Sequence, residues 1–224
     1  LLGEEISFFP FGFLMTLLPL SGIIMLLKFL NNFTWLRNYA AFYLAMRYLG
    51  SVMVCLGGLG AFFQKSIARM AAYSFIFGIG ILLGSIGFIP FVSIDLVSVW
   101  FLPYIFALWS ISLSYHALVG YEKGLTIEFL KGKFYKSPVH SLLFLVGFAT
   151  FLGVPFFSGY PANLMLFSTL SELNPIFLFL IFSGELFLAF ACVRLILRIV
   201  IRHEQNQKIP DKIKIDRLLV LMVI

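Results

Sequence analysis

The sequence predicts an all-α, polytopic membrane helix bundle of about seven transmembrane helices, one of them broken. Apolar residues make up 61% of the 224 and charged residues only 12%, so water alone could not keep the surface soluble. Runs of about 20 apolar residues recur, each long enough to cross roughly 30 Å of hydrocarbon as a helix. One of these runs contains Gly153 and Pro155, which predict the break.

Six complete spans and the start of a seventh follow from the apolar runs. They are predicted at Phe11–Leu30, Ala40–Phe63, Met70–Phe91, Val97–Leu118, Leu142–Phe167, Pro175–Ile201 and from Leu218 onward. Residues 1–201 therefore form the predicted transmembrane bundle, 202–217 a basic loop and 218–224 the start of the final helix. No secretory signal is expected, because the early apolar segment is too long and no small-residue cleavage site follows it.

Basic residues gather on one side when successive loops are assigned to alternate faces of the membrane. By the positive-inside rule this inner face, and the amino terminus, lie in the matrix or cytoplasm. Its bases are Lys65, Arg69, Lys123, Lys131, Lys133, Lys136, Arg198, Arg202, Lys208, Lys212, Lys214 and Arg217. The net charge of +6 is thus explained by membrane flanks and not by nucleic acid. The inner segment Tyr121–His140 is interpreted as either a surface helix or a solvated linker.

The second and third predicted spans are rich in glycine. Small residues let membrane helices approach closely, and van der Waals contact then holds them together. The hairpin is therefore predicted to pack tightly, with structural glycines that form no ligand site. They are Gly50, Gly57, Gly58 and Gly60 in one span and Gly78, Gly80, Gly84 and Gly87 in the other.

A short polar turn joins these two spans, and it reads Q-K-S-I-A-R-M-A-A-Y-S from Gln64 to Ser74. It resembles the Q-x-x-x-K-R-x-x-A-Y-S turn of the antiporter-like subunits of respiratory complex I and of Mrp-type sodium/proton antiporters. Ala68 stands where the family usually has a lysine. The matching residues are Gln64, Arg69, Ala72, Tyr73 and Ser74.

The fifth predicted span is interrupted between Leu152 and Pro161. Pro155 cannot donate to the carbonyl of Phe151, nor Pro161 to that of Phe157. Freed carbonyls at membrane depth must be buried in protein or line a hydrated cavity, and transporters build ion routes from such broken helices. A proline kink without any transport role is the alternative.

This segment also resembles a family pattern, L-A-G-I-P-x-x-x-G-F-x-x-K-F, found in a broken helix of the antiporter-like subunits. Gly153, Pro155 and Gly159 match it. The family's ion-handling lysine falls on Asn163, whose amide cannot gain or lose a proton at physiological pH. Two other titrating positions of the family fall on Gly78, in place of a histidine, and near Pro19, in place of a lysine.

Ionisable residues inside the spans are candidates for a proton path. Glu185 lies mid-span, where a lone carboxylate is costly and is either protonated or paired. Counting helix rise from the outer ends puts Arg47 roughly 5 Å from it in depth. Glu185 is therefore predicted to pair with Arg47, or to share a polar chain with Asn163 or Ser158, as a proton relay or as a packing contact. His116 is either a proton exit to the inner face or an interfacial residue.

Other polar or sulfur-containing residues carry simpler expectations. Arg194, Arg198 and Arg202 are spaced as a basic stripe that can reach the inner face. Cys55 and Cys192 lack the paired spacing of a metal or redox site, so both are expected to be small apolar core residues.

The resemblance implies the carboxyl-terminal half of a non-redox, membrane-arm subunit of proton-translocating NADH:ubiquinone oxidoreductase, with no catalytic centre of its own. The chain looks most like the N-type subunit, subunit 2, while subunit 4 remains open. Expected partners are other membrane-arm subunits, lipid, and a separate chain or missing segment with the first half of the fold, but no nucleic acid. No cofactor or metal is expected here, since FMN, iron–sulfur clusters and ubiquinone belong to other subunits.

Two other functions stay open, a degenerate scaffold half that conducts no ions and an Mrp-type sodium/proton antiporter subunit. Phenylalanine is unusually common, at 28 residues, which is typical of AT-rich organelle genes. The mitochondrial inner membrane is therefore the predicted location, with a bacterial plasma membrane as the alternative.

Overall fold

A computed structural model describes residues 8–88, 95–119, 126–173 and 175–201. Within these ranges the chain is helical apart from short connections, which confirms the predicted all-α membrane bundle. The helices are α1 (Phe8–Asn32), α2 (Thr34–Arg37), α3 (Ala40–Phe63), α4 (Ile67–Gly87), α5 (Asp95–Val119), α6 (Lys133–Lys136), α7 (Pro138–Phe151), α8 (Tyr160–Leu173) and α9 (Pro175–Val200).

The long helices follow the apolar runs closely, because each run supplies a continuous lipid-compatible surface. The bounds of α3 are those predicted, α4 begins at Ile67 and not at Met70, and α9 ends at Val200. In the described part of the chain, α3, α4 and α9 are long and apolar enough to cross a membrane, and shorter apolar stretches cover Phe101–Tyr115 and Pro138–Phe151. The predicted loop 202–217 and the last helix lie outside the described residues.

Glycine contacts bring α3 into backbone contact with both α4 and α9. A methyl group on Gly50 would lie 2.6 Å from Cα of Gly84 and 2.7 Å from the carbonyl oxygen of Gly80. On another face of α3, Gly58 lies against the backbone of Gly184 in α9. No side chain fits at these contacts, so the prediction of structural glycines in a tight hairpin is confirmed.

Helices α3 and α9 run parallel and are offset along their axes. Tyr48 packs edge-on against Phe177 with ring centroids 4.8 Å apart. Further along, Gly58 meets Gly184, and the end of α3 meets Arg194. Position for position, α9 is therefore shifted so that its first residue is level with the seventh or eighth residue of α3.

Aromatic rings fill the spaces between the remaining helices. In α4, α7 and α9 the side chains of Phe77, Phe144, Phe148 and Phe177 are fully buried. Helix α5 packs along α7, where Gly147 lies against Ile111. Part of the phenylalanine content therefore has a packing role, for which the sequence alone gave no reason.

From Thr126 onward, the segment that precedes α7 is bonded to the α3–α4 turn. Ser66 pairs with Thr126 in a single antiparallel bridge, and the N–H of Ile127 donates to the carbonyl of Lys65 at 3.0 Å. A 3₁₀ helix, Ile127–Leu130, and α6 follow. Because Leu130 is fully buried, the described part of Tyr121–His140 is packed against the bundle and is more than a solvated linker.

Gly58 and Gly22 provide a matched test of the α3–α9 contact. We expect Gly58→Ala to lower the free energy of unfolding by about 1–3 kcal/mol, because the new methyl group has no room beside Gly184. At Gly22 nothing lies within 4 Å, so Gly22→Ala should raise stability by about 0.5–1 kcal/mol through lower backbone entropy. Unfolding in mixed micelles measures both. Equal effects of the two variants would contradict the contact.

Candidate functional site

The predicted broken span is two helices joined by an irregular segment. Helix α7 ends at Phe151 and α8 begins at Tyr160. Between them Gly153 has a φ of 57° and Phe156 a φ of 77°, and such left-handed backbone is rare for a residue with a bulky side chain. The N–H of Val154 still reaches the carbonyl of Ala149, at 3.0 Å.

Pro161 begins a helix here and does not interrupt one. It is the second residue of α8, in the first turn, where a missing N–H costs nothing. The carbonyl of Phe157, predicted to lose its donor, accepts from the N–H of Tyr160 at 3.0 Å. The break is therefore closed locally at its α8 end.

Asn163 links the break to α9. Its side chain is buried, with 8% of the residue exposed, and lies directly against Gly153. A methyl group on Gly153 would be 2.8 Å from Cγ of Asn163, so both space and backbone conformation require glycine there. The Asn163 amide Nδ2 donates to the carboxyl Oε1 of Glu185 at 3.2 Å.

Glu185 is half-buried in the middle of α9, one residue after the Gly184 contact with Val54. It is the one acidic residue whose side chain lies in the described part of the chain. The pairing chemistry is asymmetric, because the carboxyl group can exchange a proton whereas the amide can only donate or accept a hydrogen bond. Among the described residues no group of acids, histidines and cysteines could hold a metal ion.

Of the predicted partners of Glu185, the structure brings Asn163 to it and not Arg47. The Nε of Arg47 donates to the carbonyl of Tyr43 at 3.4 Å, and the guanidinium lies over Phe88 and Phe177, 5.8 and 5.9 Å from their ring centroids. The described residues show no ion pair between Arg47 and Glu185.

The predicted depths assumed that α3 and α9 begin at the same level. Because α9 begins later, Glu185 is level with the stretch of α3 between Val54 and Gly58. Arg47 is thus on the order of 13 Å away along the helix axis, and not roughly 5 Å.

The remaining predicted path residues have different outcomes. Ser158 is exposed and does not join the Asn163–Glu185 pair. His116 is on α5, but its side chain lies outside the described part, so its role stays a prediction. Pro155 is exposed in the break, and Gly159 is buried against Thr150.

The family turn motif forms the inner end of the α3–α4 hairpin. The ring of Tyr73 occupies the space left by Gly60, and Ser74 Oγ donates to the carbonyl of Met70 at 3.0 Å. Arg69 is exposed at the start of α4. The motif therefore stabilises a helix hairpin.

Arg194 completes this turn, which sequence reasoning missed by assigning it to the basic stripe. Its Nη2 donates to the carbonyl of Gln64 at 2.5 Å, and its guanidinium lies 6.0 Å from the ring centroid of Phe62. Gln64 is the C-cap of α3, so a cation meets the negative end of the helix dipole. The distance between positions 64 and 194 in sequence hid this contact.

Tyr104 is a second residue that sequence reasoning missed. Its hydroxyl donates to the carbonyl of Phe75 at 3.0 Å, and its ring packs edge-on against Phe151, the last residue of α7, at 5.0 Å. Any side chain at Gly78 would collide with this ring. Tyr104 thus fills the place where the family resemblance puts a histidine.

A double-mutant cycle tests the Asn163–Glu185 contact. We expect Asn163→Ala and Glu185→Ala to be coupled by about 0.5–3 kcal/mol in unfolding free energy, as is usual for side chains in contact. Arg47→Ala and Glu185→Ala should be additive within about 0.5 kcal/mol, because they are far apart. The reverse pattern, with coupling at Arg47 alone, would restore the pairing predicted from the sequence.

Replacing Arg194 tests the cap on α3. Arg194→Ala should lower the free energy of unfolding by about 1–3 kcal/mol and speed amide exchange near Gln64, since the charged donor is lost. The control is Arg37→Ala, which removes an exposed arginine and should change stability by less than about 0.5 kcal/mol. Unchanged amide exchange in Arg194→Ala would mean that the cap is unimportant.

Comparisons with known structures support the fold. A chain of the membrane-bound sulfane sulfur reductase, an archaeal respiratory membrane complex, has the same fold, with a TM-score of 0.80 and 18% identity over 98% of this chain. A chain of respiratory complex I from Thermus thermophilus gives a TM-score of 0.58 and 23% identity over 72% of this chain. The protein spans 45% and 37% of those two chains.

A search of curated protein sequences finds no match. A family comparison, in contrast, matches residues 7–189, which include the turn motif, the break and Glu185. The chain belongs to the transmembrane family of NADH:quinone oxidoreductase and Mrp antiporter subunits.

Proposed function

We propose that this chain is a membrane-arm subunit of a proton-translocating NADH:ubiquinone oxidoreductase, in which Glu185 exchanges protons beside the broken helix. The observation that carries this is the Asn163–Glu185 hydrogen bond at the break, 3.2 Å long. It links an ionisable side chain to Asn163, which packs against Gly153 in the non-helical segment. Transporters build ion sites beside broken helices of this kind.

Asn163 is suited to hold the carboxyl group in place during such an exchange. Its backbone N–H is bonded to the carbonyl of Gly159 at 3.1 Å, and its side chain is enclosed against Gly153. The amide can therefore keep one orientation while Glu185 changes protonation. In this proposal the proton is carried by α9 and not by the α8 position at which the family has its lysine.

Partners are proposed from the exposed side of the break. Pro155 and Ser158 are exposed, and Phe156 is fully exposed with strained left-handed backbone. Irregular backbone cannot face lipid, because its polar groups find no partners there. We infer that another membrane polypeptide covers this segment, either a further part of the antiporter-like fold or a neighbouring membrane-arm subunit.

A structural half-subunit that conducts no ions is the second candidate function. It is favoured by Tyr104, whose ring takes the space of a titrating family residue at Gly78, and by the amide at Asn163. An Mrp-type sodium/proton antiporter subunit is the third, since the family includes both kinds of protein.

The finer identity is also a proposal. We place the chain with the N-type subunit, subunit 2, in the mitochondrial inner membrane, on the turn and break motifs and the phenylalanine content of 28 residues. A bacterial plasma membrane is the alternative, and the respiratory complexes from an archaeon and from Thermus fit a prokaryotic membrane equally well. In this proposal FMN, iron–sulfur clusters and ubiquinone are bound by other subunits.

Coupled proteoliposomes holding the whole complex test proton transport through Glu185. Glu185→Gln should reduce proton flux through this subunit by about 100-fold or more, as is typical when an essential acid–base group is removed. The number of protons moved per NADH oxidised should then fall by the number that this subunit normally moves. A pH-sensitive dye and NADH absorbance measure the two rates.

Ser183→Ala is the matched control on the same helix. It removes a hydroxyl group that donates to Cys55 and Leu180 and leaves the carboxyl group in place, so the proton yield should be unchanged. An unchanged yield in Glu185→Gln as well would support the scaffold. Sodium-driven proton exchange in the absence of NADH would support the antiporter.

A further inference from the structure

Three cationic residues lie where the carboxyl-terminal ends of α3 and α9 come together. Lys65 is exposed in the α3–α4 turn, and Arg194 donates to the carbonyl of its neighbour Gln64. Arg198 is exposed four residues after Arg194, on the same face of α9. In the part of the chain that the structure describes, none of these three cations has an ion-pair partner.

The backbone of this cationic cluster is held in place. The carbonyl of Lys65 accepts from the N–H of Ile127 at 3.0 Å, and Ser66 forms its bridge with Thr126. Arg194 and Arg198 are like charges at i, i+4, a spacing that is unfavourable on a helix. The enclosed Nε of Arg194 also lacks a hydrogen-bond acceptor. Among the side chains that the structure describes, positive charge is therefore kept together with no negative charge to offset it.

An aromatic surface lies directly on the membrane side of this cluster. The ring of Phe62 contacts those of Phe63, Phe187 and Phe190, with centroids 5.1, 5.8 and 6.3 Å away. Phe63 is 66% exposed and Phe190 54% exposed. A molecule bound at Lys65 and Arg198 would thus have exposed apolar surface on one side and the inner aqueous phase on the other.

We propose that this surface binds one anionic phospholipid. Its phosphate lies between Lys65 and Arg198, close to the positive charge of Arg194, and its acyl chains lie on Phe63 and Phe190. Basic sites between helix ends on the inner face are where anionic headgroups collect, and the apolar surface below distinguishes a lipid from a free anion. This inference does not depend on whether the subunit moves protons.

Lipid retention by the purified complex tests the proposal. The complex, with the full chain, is titrated in detergent with dioleoyl phosphatidylglycerol or dioleoyl phosphatidylcholine, and bound lipid is counted by native mass spectrometry. The test variant carries both Lys65→Gln and Arg198→Gln. The control variant carries both Lys28→Gln and Arg37→Gln, which remove one lysine and one arginine from exposed positions near the opposite end of α3. Both pairs alter exposed side chains, so folding is preserved, and circular dichroism verifies it.

We expect the wild type to retain the phosphatidylglycerol lipid in preference to the phosphatidylcholine lipid. The Lys65/Arg198 pair should weaken that retention about 25-fold, roughly fivefold for each basic residue near the headgroup. The Lys28/Arg37 pair should leave it unchanged. Phe63→Ala should weaken the retention of both lipids and leave the preference between them unchanged.

Three results would overturn the proposal. They are equal retention of the two lipids by the wild type, unchanged retention in the Lys65/Arg198 pair, and displacement of the lipid by millimolar inorganic phosphate alone. The last would assign the cluster to a free anion.

Discussion

Hydrocarbon offers no hydrogen bonds to a peptide group, and this constraint governs the α3–α4 turn and the break between α7 and α8. At the α3–α4 turn, Arg194 of α9 donates to the free carbonyl of Gln64. At the break, a backbone turn leads into the start of α8, and Asn163 fills the space beside Gly153. At the turn the polar side chain comes from a distant helix, whereas at the break it comes from α8 and is itself bonded to Glu185 of α9. In both places the local irregularity and the assembly of the bundle depend on each other.

The helical bundle was predictable because its signals are local. The lengths of the apolar runs predicted the membrane spans, and the predicted first and last residues of α3 were both correct. The glycines of α3 and α4 predicted their close contact, which follows from backbone geometry alone. Proline and glycine also located the break, although Pro161 turned out to begin α8.

The candidate site was only partly predictable, because its partners depend on how helices shift along one another. Glu185 and Asn163 were identified from the sequence, but pairing with Arg47 required two helices to begin at equal depth. Counting residues from a helix end measures depth only when that end is at the membrane surface. Likewise, the contacts of Arg194 and Tyr104 join positions that are 130 and 29 residues apart, and no local pattern marks them.

The ring of Tyr104 fills the space beside Gly78, so substitutions at these two positions depend on each other. A lineage that places a large side chain at 78 must first accept a smaller residue at 104, or the two rings would overlap. A lineage that keeps tyrosine at 104 is confined to glycine at 78. It therefore lacks the histidine that the family resemblance places there. Across homologues, a larger residue at position 78 should therefore occur with a smaller residue at position 104. A large side chain can appear at position 78 only after position 104 has become smaller.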